Sequence, residues 1–372
     1  MNLKYFYKNA RLVSDSYLLS QINDASERLA EKLNNIDLST LGISQYNQNY
    51  CSAKRSNLVA NLQLYGHILA LCLDGSTVSK EKYTIIDYGG GTGIFTLLAK
   101  EYGIGCVIYS DIYDVSCKDV EKISQAVDIK IDYNICGDID DLIVFLATSG
   151  LVPNGICSFD VIEHIYDIEK YFRRLSDISS NQFRIVFGSG ANNVNPLIRK
   201  DLKKRHLIAE YNDKPLKYGH KDRDTLLSFF KARRMIISNY CPNMQTEKVE
   251  MLAIKTRGLN KLDIQASVDE YLATGSMTYM PPRDSNTCDP FTGNWAEHLM
   301  DHGWLKHILQ DVGFNVEILP GFWGDSTKRH KAMVKSAINC LIKYSRNAGF
   351  VFAPYFIIRG DFSRRRHEVS CG

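Results

Sequence analysis

The stretch Thr84-Ile85-Ile86-Asp87-Tyr88-Gly89-Gly90-Gly91-Thr92-Gly93-Ile94-Phe95-Thr96-Leu97-Leu98-Ala99-Lys100 decides the fold. It opens as a short apolar strand at about Tyr83–Tyr88, crosses a run of glycines, and resumes with apolar residues at helical spacing. Glycine lets a backbone turn tightly and approach a ligand closely, and the start of the following helix presents unpaired N–H groups. Two loop patterns compete here. A dinucleotide loop needs G-x-G-x-x-G, the third glycine letting helix and strand pack closely. Gly89 and Gly91 would supply the first two, but Ile94 stands where the third is required. The spacing present is Asp87-x-Gly89-x-Gly91-x-Gly93.

Working downstream, Cys106-Val107-Ile108-Tyr109 reads as a second strand ending at Asp111, followed by a helix over Asp119–Val127. A third strand, Ile129–Ile135, ends near Gly137-Asp138, with a helix over Asp141–Thr148. Gly155–Phe159 and Arg184–Phe187 read as the fourth and fifth strands. Strands alternating with helices imply a doubly wound, mostly parallel α/β sheet with helices on both faces. Residues 81–190 form its first part. The alternation stops over 191–294, where helical pieces (Pro196–Glu210, Arg223–Ser238) and the loop-rich Met280-Pro281-Pro282-Arg283-Asp284-Ser285-Asn286 suggest an inserted lid. It resumes over 295–360 with a helix at Trp295–Val312, a strand at Phe314–Ile318, a helix at Lys328–Ser345 and a last strand at Phe350–Ile358, for seven strands in all. Upstream, residues 1–80 read as a helical cap, with amphipathic stretches Ser14–Leu33 and Ser56–Leu73, the second stopped by Asp74-Gly75. Residues 361–372 form a basic tail that needs no role beyond solvation.

The 372 residues are 45% hydrophobic and 23% charged with a formal net charge of +3, ordinary for a folded chain with a sizeable core. So balanced a charge, without a base-stacking module, does not favour a nucleic-acid partner. None of the ten cysteines sits in a C-x-x-C pair, and they read as reduced thiols. The N-terminus lacks the apolar core of a secretion signal, and no run approaches the roughly 18 apolar residues of a membrane span, so the expected location is the cytoplasm. Oligomeric state is left open.

The glycine spacing resembles motif I of the class I, Rossmann-like S-adenosylmethionine-dependent methyltransferases. Three further segments extend the resemblance: Asp111 at the end of the second strand, Cys136-Gly137-Asp138-Ile139 after the third, and Asp160-Val161-Ile162-Glu163-His164-Ile165 after the fourth. The last is similar to the corresponding run of the ubiquinone-biosynthesis O-methyltransferase-like branch. The segment Gly313-Phe314-x-Val316 is similar to that family's sixth strand. Ala353-Pro354-Tyr355 resembles the seventh strand of a related branch, which runs antiparallel between the fifth and sixth. The resemblance implies S-adenosylmethionine as cofactor. Asp87 would face its methionine amino end, and Gly89, Gly91 and Gly93 would pass beneath it. Asp111, with Ile112, would accept the ribose hydroxyls, Asp138 and Ile139 would hold the adenine, and Phe159 would touch the methionine part. Asn154 departs from the acidic residue many members carry at that position.

The implied reaction is methyl transfer, favoured onto an oxygen of a small-molecule or glycan-type acceptor. A hydroxyl acceptor calls for a base. His164, at the carboxyl edge of the sheet where open α/β folds bind ligands, is the first candidate; imidazole exchanges protons near neutral pH. Glu163 could assist or merely orient the next helix, and His220, in Lys217-Tyr218-Gly219-His220-Lys221, is a second possible base. In some relatives the run after the fourth strand also ligates a divalent metal, which here would place Mg2+ on Asp160, Glu163 and His164. Asn192, Asn193, Asn195 and the polar run Asn286–Trp295 could meet a hydroxylated substrate or be buried loop residues. The basic clusters Arg199-Lys200, Lys203-Lys204-Arg205, Arg233-Arg234 and Lys328-Arg329-His330-Lys331 could attract a phosphorylated or acidic acceptor or be solvated helix faces. The rival readings are an NAD-dependent oxidoreductase or sugar-nucleotide enzyme, against which Ile94 argues, and a methyltransferase-like module that binds without turnover.

Overall fold

The computed structural model describes residues 15–180, 182–213, 225–325 and 329–363. His220 and most of the basic tail lie outside them.

Seven strands form one sheet: β1 Thr84–Tyr88, β2 Cys106–Asp111, β3 Tyr133–Cys136, β4 Gly155–Phe159, β5 Arg184–Ser189, β6 Phe314–Pro320 and β7 Phe356–Phe362. Their order is β3-β2-β1-β4-β5-β7-β6. β1 to β5 pair in parallel, while β7 lies antiparallel between β5 and β6. The sheet is thus mixed, parallel except for β7. The central strands are buried on both faces, so β1 and β2 read as continuous rather than alternating apolar text. The switch in connection falls between β1 and β4, and this is where an open α/β sheet opens a crevice beyond its strand ends.

The helices between strands are α4 Ile94–Tyr102, α5 Asp114–Ala126, α6 Ile139–Ser149 and α7 Ile168–Ile178. Among the described residues three α-helices precede the sheet: α1 Ser16–Asn35, α2 Gln45–Arg55 and α3 Leu58–Leu73. α3 is apolar all round its circumference, and it lies against α1, α4, β4 and β5. Its Leu62, Leu69 and Cys72 share one continuous core with Leu29, Ile85, Leu97 and Val186. The cap is therefore part of the sheet's own packing.

After β5 come α8 Pro196–Tyr211, α9 Phe229–Tyr240, α10 Thr246–Lys255 and α11 Lys261–Thr274. The last three close a small core of their own around Ile237, Leu252 and Val268. The expected helix over Trp295–Val312 is corrected: α12 covers only His302–Asp311, and residues 295–301 form an irregular strap held by the bridge Cys288–Trp295. The last strand is also displaced. Residues Arg346–Val351 form a short 3-10 helix after α13 (Arg329–Tyr344), and β7 begins only at Phe356.

Candidate functional site

The loop between β1 and α4 is shaped by close neighbours on one side and space on the other. Gly89, Gly91 and Gly93 all take left-handed backbone, with φ of 70°, 54° and 75°. A Cβ on Gly89 would stand 2.5 Å from Cγ2 of Val161, and one on Gly93 would stand 2.4 Å from Cγ2 of Val120. Those two glycines are required by packing. Gly91 differs: the nearest atom its Cβ would meet is in the ring of Tyr50, 3.7 Å away. A side chain at Gly91 would meet an ordinary contact rather than a clash. The loop is pinned by the Ser110 carbonyl, which accepts from Gly89 N at 2.7 Å and Gly90 N at 3.1 Å, and by the Tyr109 hydroxyl, which donates to the Gly91 carbonyl at 2.7 Å.

Asp87 is buried beneath the loop. Its Oδ2 accepts from the Thr96 hydroxyl at 2.6 Å and from Thr96 N at 3.1 Å. Burial pushes its carboxyl up to about 7, against the pull of those two bonds. Asp111 is also buried: Oδ2 accepts from Gly91 N at 2.9 Å and Oδ1 from Tyr113 N at 2.8 Å. Its carboxylate ties the end of β2 to the glycine loop, and a carboxylate's four lone-pair sites leave it able to accept more. Asp138 is the N-cap of α6 in a capping box with Asp141, its Oδ1 accepting from Asp140 N and Asp141 N. Ile139 is buried just inside that cap. Burial raises the Tyr88 hydroxyl, and after it the carboxylates of Asp138 and Asp111, so Tyr88, Asp111 and Asp138 share one neighbourhood at the ends of β1 to β3. Ile112, half-buried, continues from Asp111, and Phe159 ends β4 with its ring edge-on to Tyr355 at 5.4 Å.

Past β4 the chain turns sharply. Asp160 adopts φ 56°, unusual for a residue other than glycine, and its Oδ1 accepts from Gly190 N at the end of β5. Residues Ile162–His164 then form one 3-10 turn. The strap from the insert lies on this turn: Trp295 N donates to the His164 carbonyl at 3.2 Å and His298 N to the Glu163 carbonyl at 3.0 Å. The His164 ring nitrogen Nδ1 lies 2.8 Å from the Trp295 carbonyl. A carbonyl only accepts, so Nδ1 carries the proton and donates, which leaves Nε2 as the basic nitrogen. Glu163 is wholly buried and neither carboxylate oxygen has a hydrogen-bond partner. Burial, then the carboxylates of Asp160 and Glu297, hold its carboxyl well above the usual range. Glu297, at φ 62°, is raised chiefly by burial, with Asp160 adding to it and His164 opposing.

The metal expectation does not fit this arrangement. Among the described residues no three of His, Cys, Asp and Glu come together to hold an ion. Glu163 is wholly buried beneath the strap, so Asp160, Glu163 and His164 do not form a ligand set.

Several of the other candidates are structural. Asn192 Nδ2 donates to the Phe350 and Ala353 carbonyls, and Asn195 caps α8 while also donating to Ala353. Asn286 exchanges hydrogen bonds with the Leu299 backbone, and the Thr287 hydroxyl donates to Glu210. Of the basic clusters, Arg233 is buried on Glu210, Lys203 pairs with Asp284, Arg205 with Asp201 and Arg234 with Glu250.

The sequence alone did not single out the cap's contribution. α2 carries Tyr50 toward Gly91 and places Lys54 Nζ 5.3 Å from the Tyr50 ring centre and 5.8 Å from that of Tyr65. Lys54 also faces the Asp160 carboxylate. Nor was Asn294 assigned a place; its Nδ2 donates to the Tyr113 hydroxyl at 3.2 Å, so the strap reaches from the β2 edge to the β4 edge. The cap thus meets the glycine loop through Tyr50, and the insert meets the β2 edge through Asn294 and the turn after β4 through Trp295 and His298.

A family model described as a methyltransferase domain matches residues 48–235, half of the chain. The chain belongs to this family and is an S-adenosylmethionine-dependent methyltransferase. No curated protein matches the sequence. Among solved structures, an S-adenosylmethionine-dependent methyltransferase from Mesorhizobium loti is 15% identical, the match covering 78% of this chain and 99% of that one at a TM-score of 0.36. One from Archaeoglobus fulgidus is 16% identical over 75% and 86%, at 0.31. A candidate of the same class from Streptococcus mutans is 17% identical, with only 38% of each chain covered, at 0.29. Likenesses this weak say nothing of substrate or mechanism. Among the described residues no helix is long and apolar enough to cross a membrane.

Proposed function

We propose that the chain transfers the methyl group of S-adenosylmethionine to a hydroxyl of a small-molecule or glycan-type acceptor held between the cap, the strand ends and the strap. The cofactor lies over Gly91, with Gly89 and Gly93 shaping the loop beneath it. Asp111 and Ile112 take the ribose, Tyr88, Asp138 and Ile139 the adenine, and Phe159 the methionine chain. Asp87 faces the methionine ammonium. Lys54, presented by α2 beside Asp160, suits the methionine carboxylate.

The sulfonium is already activated, so the protein's task is alignment and removal of the acceptor's proton. The observation that carries the reading is the 2.8 Å contact of His164 Nδ1 with the Trp295 carbonyl: a carbonyl accepts, so Nδ1 donates and Nε2 is the nitrogen able to take a hydroxyl proton at the carboxyl edge of β4. Bound there, S-adenosylmethionine would supply the methyl group: the acceptor oxygen would form the O–CH3 bond as the CH3–S bond breaks, leaving S-adenosylhomocysteine. General-base help of this kind is worth roughly 10²–10⁴-fold. His164→Gln should lower methyl transfer by about that factor while leaving S-adenosylhomocysteine affinity, read by calorimetry, within about twofold. Full turnover in the variant would remove His164 from the mechanism.

A further inference from the structure

Helix α13, Arg329–Tyr344, turns its apolar side outward. At about 100° per residue, Met333, Val334, Ala337, Cys340, Leu341 and Tyr344 fall within one arc of roughly 120°, interrupted only by His330 in the first turn. All of them are exposed, Met333 at 67% and Tyr344 at 75%. The inward side is the polar one. Asn339 is buried there, its Oδ1 accepting from Trp323 N and its Nδ2 donating to the Trp323 carbonyl, both at 2.8 Å. Lys335 Nζ donates to the Gly324 carbonyl at 2.7 Å. A helix that closes a core shows the opposite arrangement. Val351 and Phe352, in the turn that follows, are exposed as well. An exposed apolar surface rimmed by charge marks contact with a protein or a membrane.

Charge decides between these. Between Asp325 and Asp361 the sequence has seven Lys or Arg and no Asp or Glu. On α13, Lys335 points inward, while Arg329 and Lys331 stand in the first turn and Lys343 in the last. Among the described residues no carboxylate pairs with any of those three. A second copy laid on the same face, parallel or antiparallel, would bring these cations together with no acid to answer them. An anionic lipid surface answers them, and its acyl boundary accepts the apolar arc. We propose that α13 docks the protein on an anionic bilayer, with the apolar arc at the acyl boundary and Arg329, Lys331 and Lys343 reaching the headgroups. The long cationic stems flank the arc and extend to the phosphates. The helix leaves from the ligand edge of the sheet. β6 ends at Pro320 beside Phe356, which is itself in register with Ser189 at the end of β5. Phe322, just before the Trp323 that Asn339 holds, packs on Tyr355 at 5.7 Å, and Tyr355 on Phe159 at 5.4 Å. Docking through α13 therefore brings that edge to the bilayer.

The test is sedimentation of the full chain with vesicles of phosphatidylcholine alone and of phosphatidylcholine with about one-third phosphatidylglycerol. The chain should sediment with the anionic vesicles at low salt, hardly with the neutral ones, and be released at about 0.5 M salt. Met333→Asp with Leu341→Asp should weaken vesicle binding at least about 10-fold. Arg329→Gln with Lys331→Gln should weaken it about 10- to 30-fold, roughly fivefold for each cation near an anionic surface. The four side chains are exposed, so thermal unfolding should stay within a few degrees of the parent and S-adenosylhomocysteine affinity should not change. Should the Asp pair not fold, the Gln pair carries the measurement. Failure to sediment with anionic vesicles at low salt overturns the proposal, as does equal binding to both vesicles. Binding that survives both pairs of substitutions also overturns it, since the contact would then lie elsewhere on the chain. A concentration-dependent dimer that Met333→Asp with Leu341→Asp dissolves would give the face to a second copy and overturn it too. Vesicle binding is read without turnover, so the outcome is separate from that of the methyl-transfer reading.

Discussion

With Asp87 facing the methionine ammonium as proposed, cofactor binding should release a proton. Burial under the glycine loop pushes its carboxyl up to about 7 from an ordinary value of 3.8, so below pH 7 the free protein holds it mostly protonated. A methionine ammonium held there would require the ionised form. Cofactor affinity should therefore fall about tenfold for each pH unit below about 7 and level off above it. With a pKa of about 7, roughly nine-tenths of Asp87 is protonated at pH 6 and about one-tenth at pH 8, so binding should release about 0.9 and 0.1 protons respectively. The same shift governs stability without ligand. A carboxyl raised in the folded state favours folding most when protonated. Its contribution is complete below pH 3.8, is lost as pH rises through about 7, and amounts to at most about 4 kcal/mol at 1.36 kcal/mol per unit. The assay is titration calorimetry of S-adenosylhomocysteine at pH 6 and pH 8 in buffers of differing ionisation enthalpy, with thermal unfolding across the same range. Asp87→Asn should remove the proton release, make the free protein more stable at pH 8, and weaken binding there. Proton release near zero at pH 6, with affinity flat from pH 6 to pH 8, would refute the placement of Asp87 against the ammonium.

Asp111→Asn offers an amide N–H to one of the two backbone donors it now accepts from, Gly91 N and Tyr113 N. With charge-assisted bonds worth about 1.5–3 kcal/mol each, S-adenosylhomocysteine affinity should drop at least about 100-fold by calorimetry, and unchanged affinity would show the ribose assignment to be wrong. The glycines separate by neighbour: Gly89→Ala drives a methyl to 2.5 Å from Val161 and should lower the melting temperature of the free protein by several degrees. Gly91→Ala meets only Tyr50 at 3.7 Å, so beyond the roughly 1 kcal/mol of left-handed backbone its loss should appear in cofactor binding. Equal stability losses in both variants would contradict that division. Glu210→Gln strands the buried Arg233 guanidinium and should cost about 3–5 kcal/mol in thermal or urea unfolding; a variant as stable as the parent would mean the pair is not buried as described.

How legible each half of the site was in the sequence follows from how far its residues interact along the chain. The donor side is local. Asp87, the three glycines and Thr96 lie within one strand–loop–helix, and the 2-then-3.6 periodicity around them exposes the whole unit. Asp111, Asp138 and Asp160 end successive strands, so the alternation that reveals the strands also marks those residues. Helix α2 gave no such signal, because among its residues only Asn47 is buried. It is held instead by the Ser44 cap and by Asp119, whose Oδ2 accepts from the Ser44 hydroxyl at 2.5 Å and from Asn47 Nδ2 at 2.8 Å. Lys54 and Tyr50 were lost with it. The strap misled for the opposite reason. Trp295, Leu299, Met300 and Leu305 keep helical spacing, yet the N–H groups of Trp295, His298 and Leu299 go to His164, Glu163 and Asn286 rather than to a preceding turn. Apolar spacing shows that a segment is buried, and partners far along the chain decide its backbone. His298 illustrates the consequence: its N–H reaches the Glu163 carbonyl only after the chain returns to lay residues 295–298 on Ile162–His164. The glycine loop is thus written in contiguous text, while the contact between the turn after β4 and residues 295–298 is made by two segments that meet only in the folded chain.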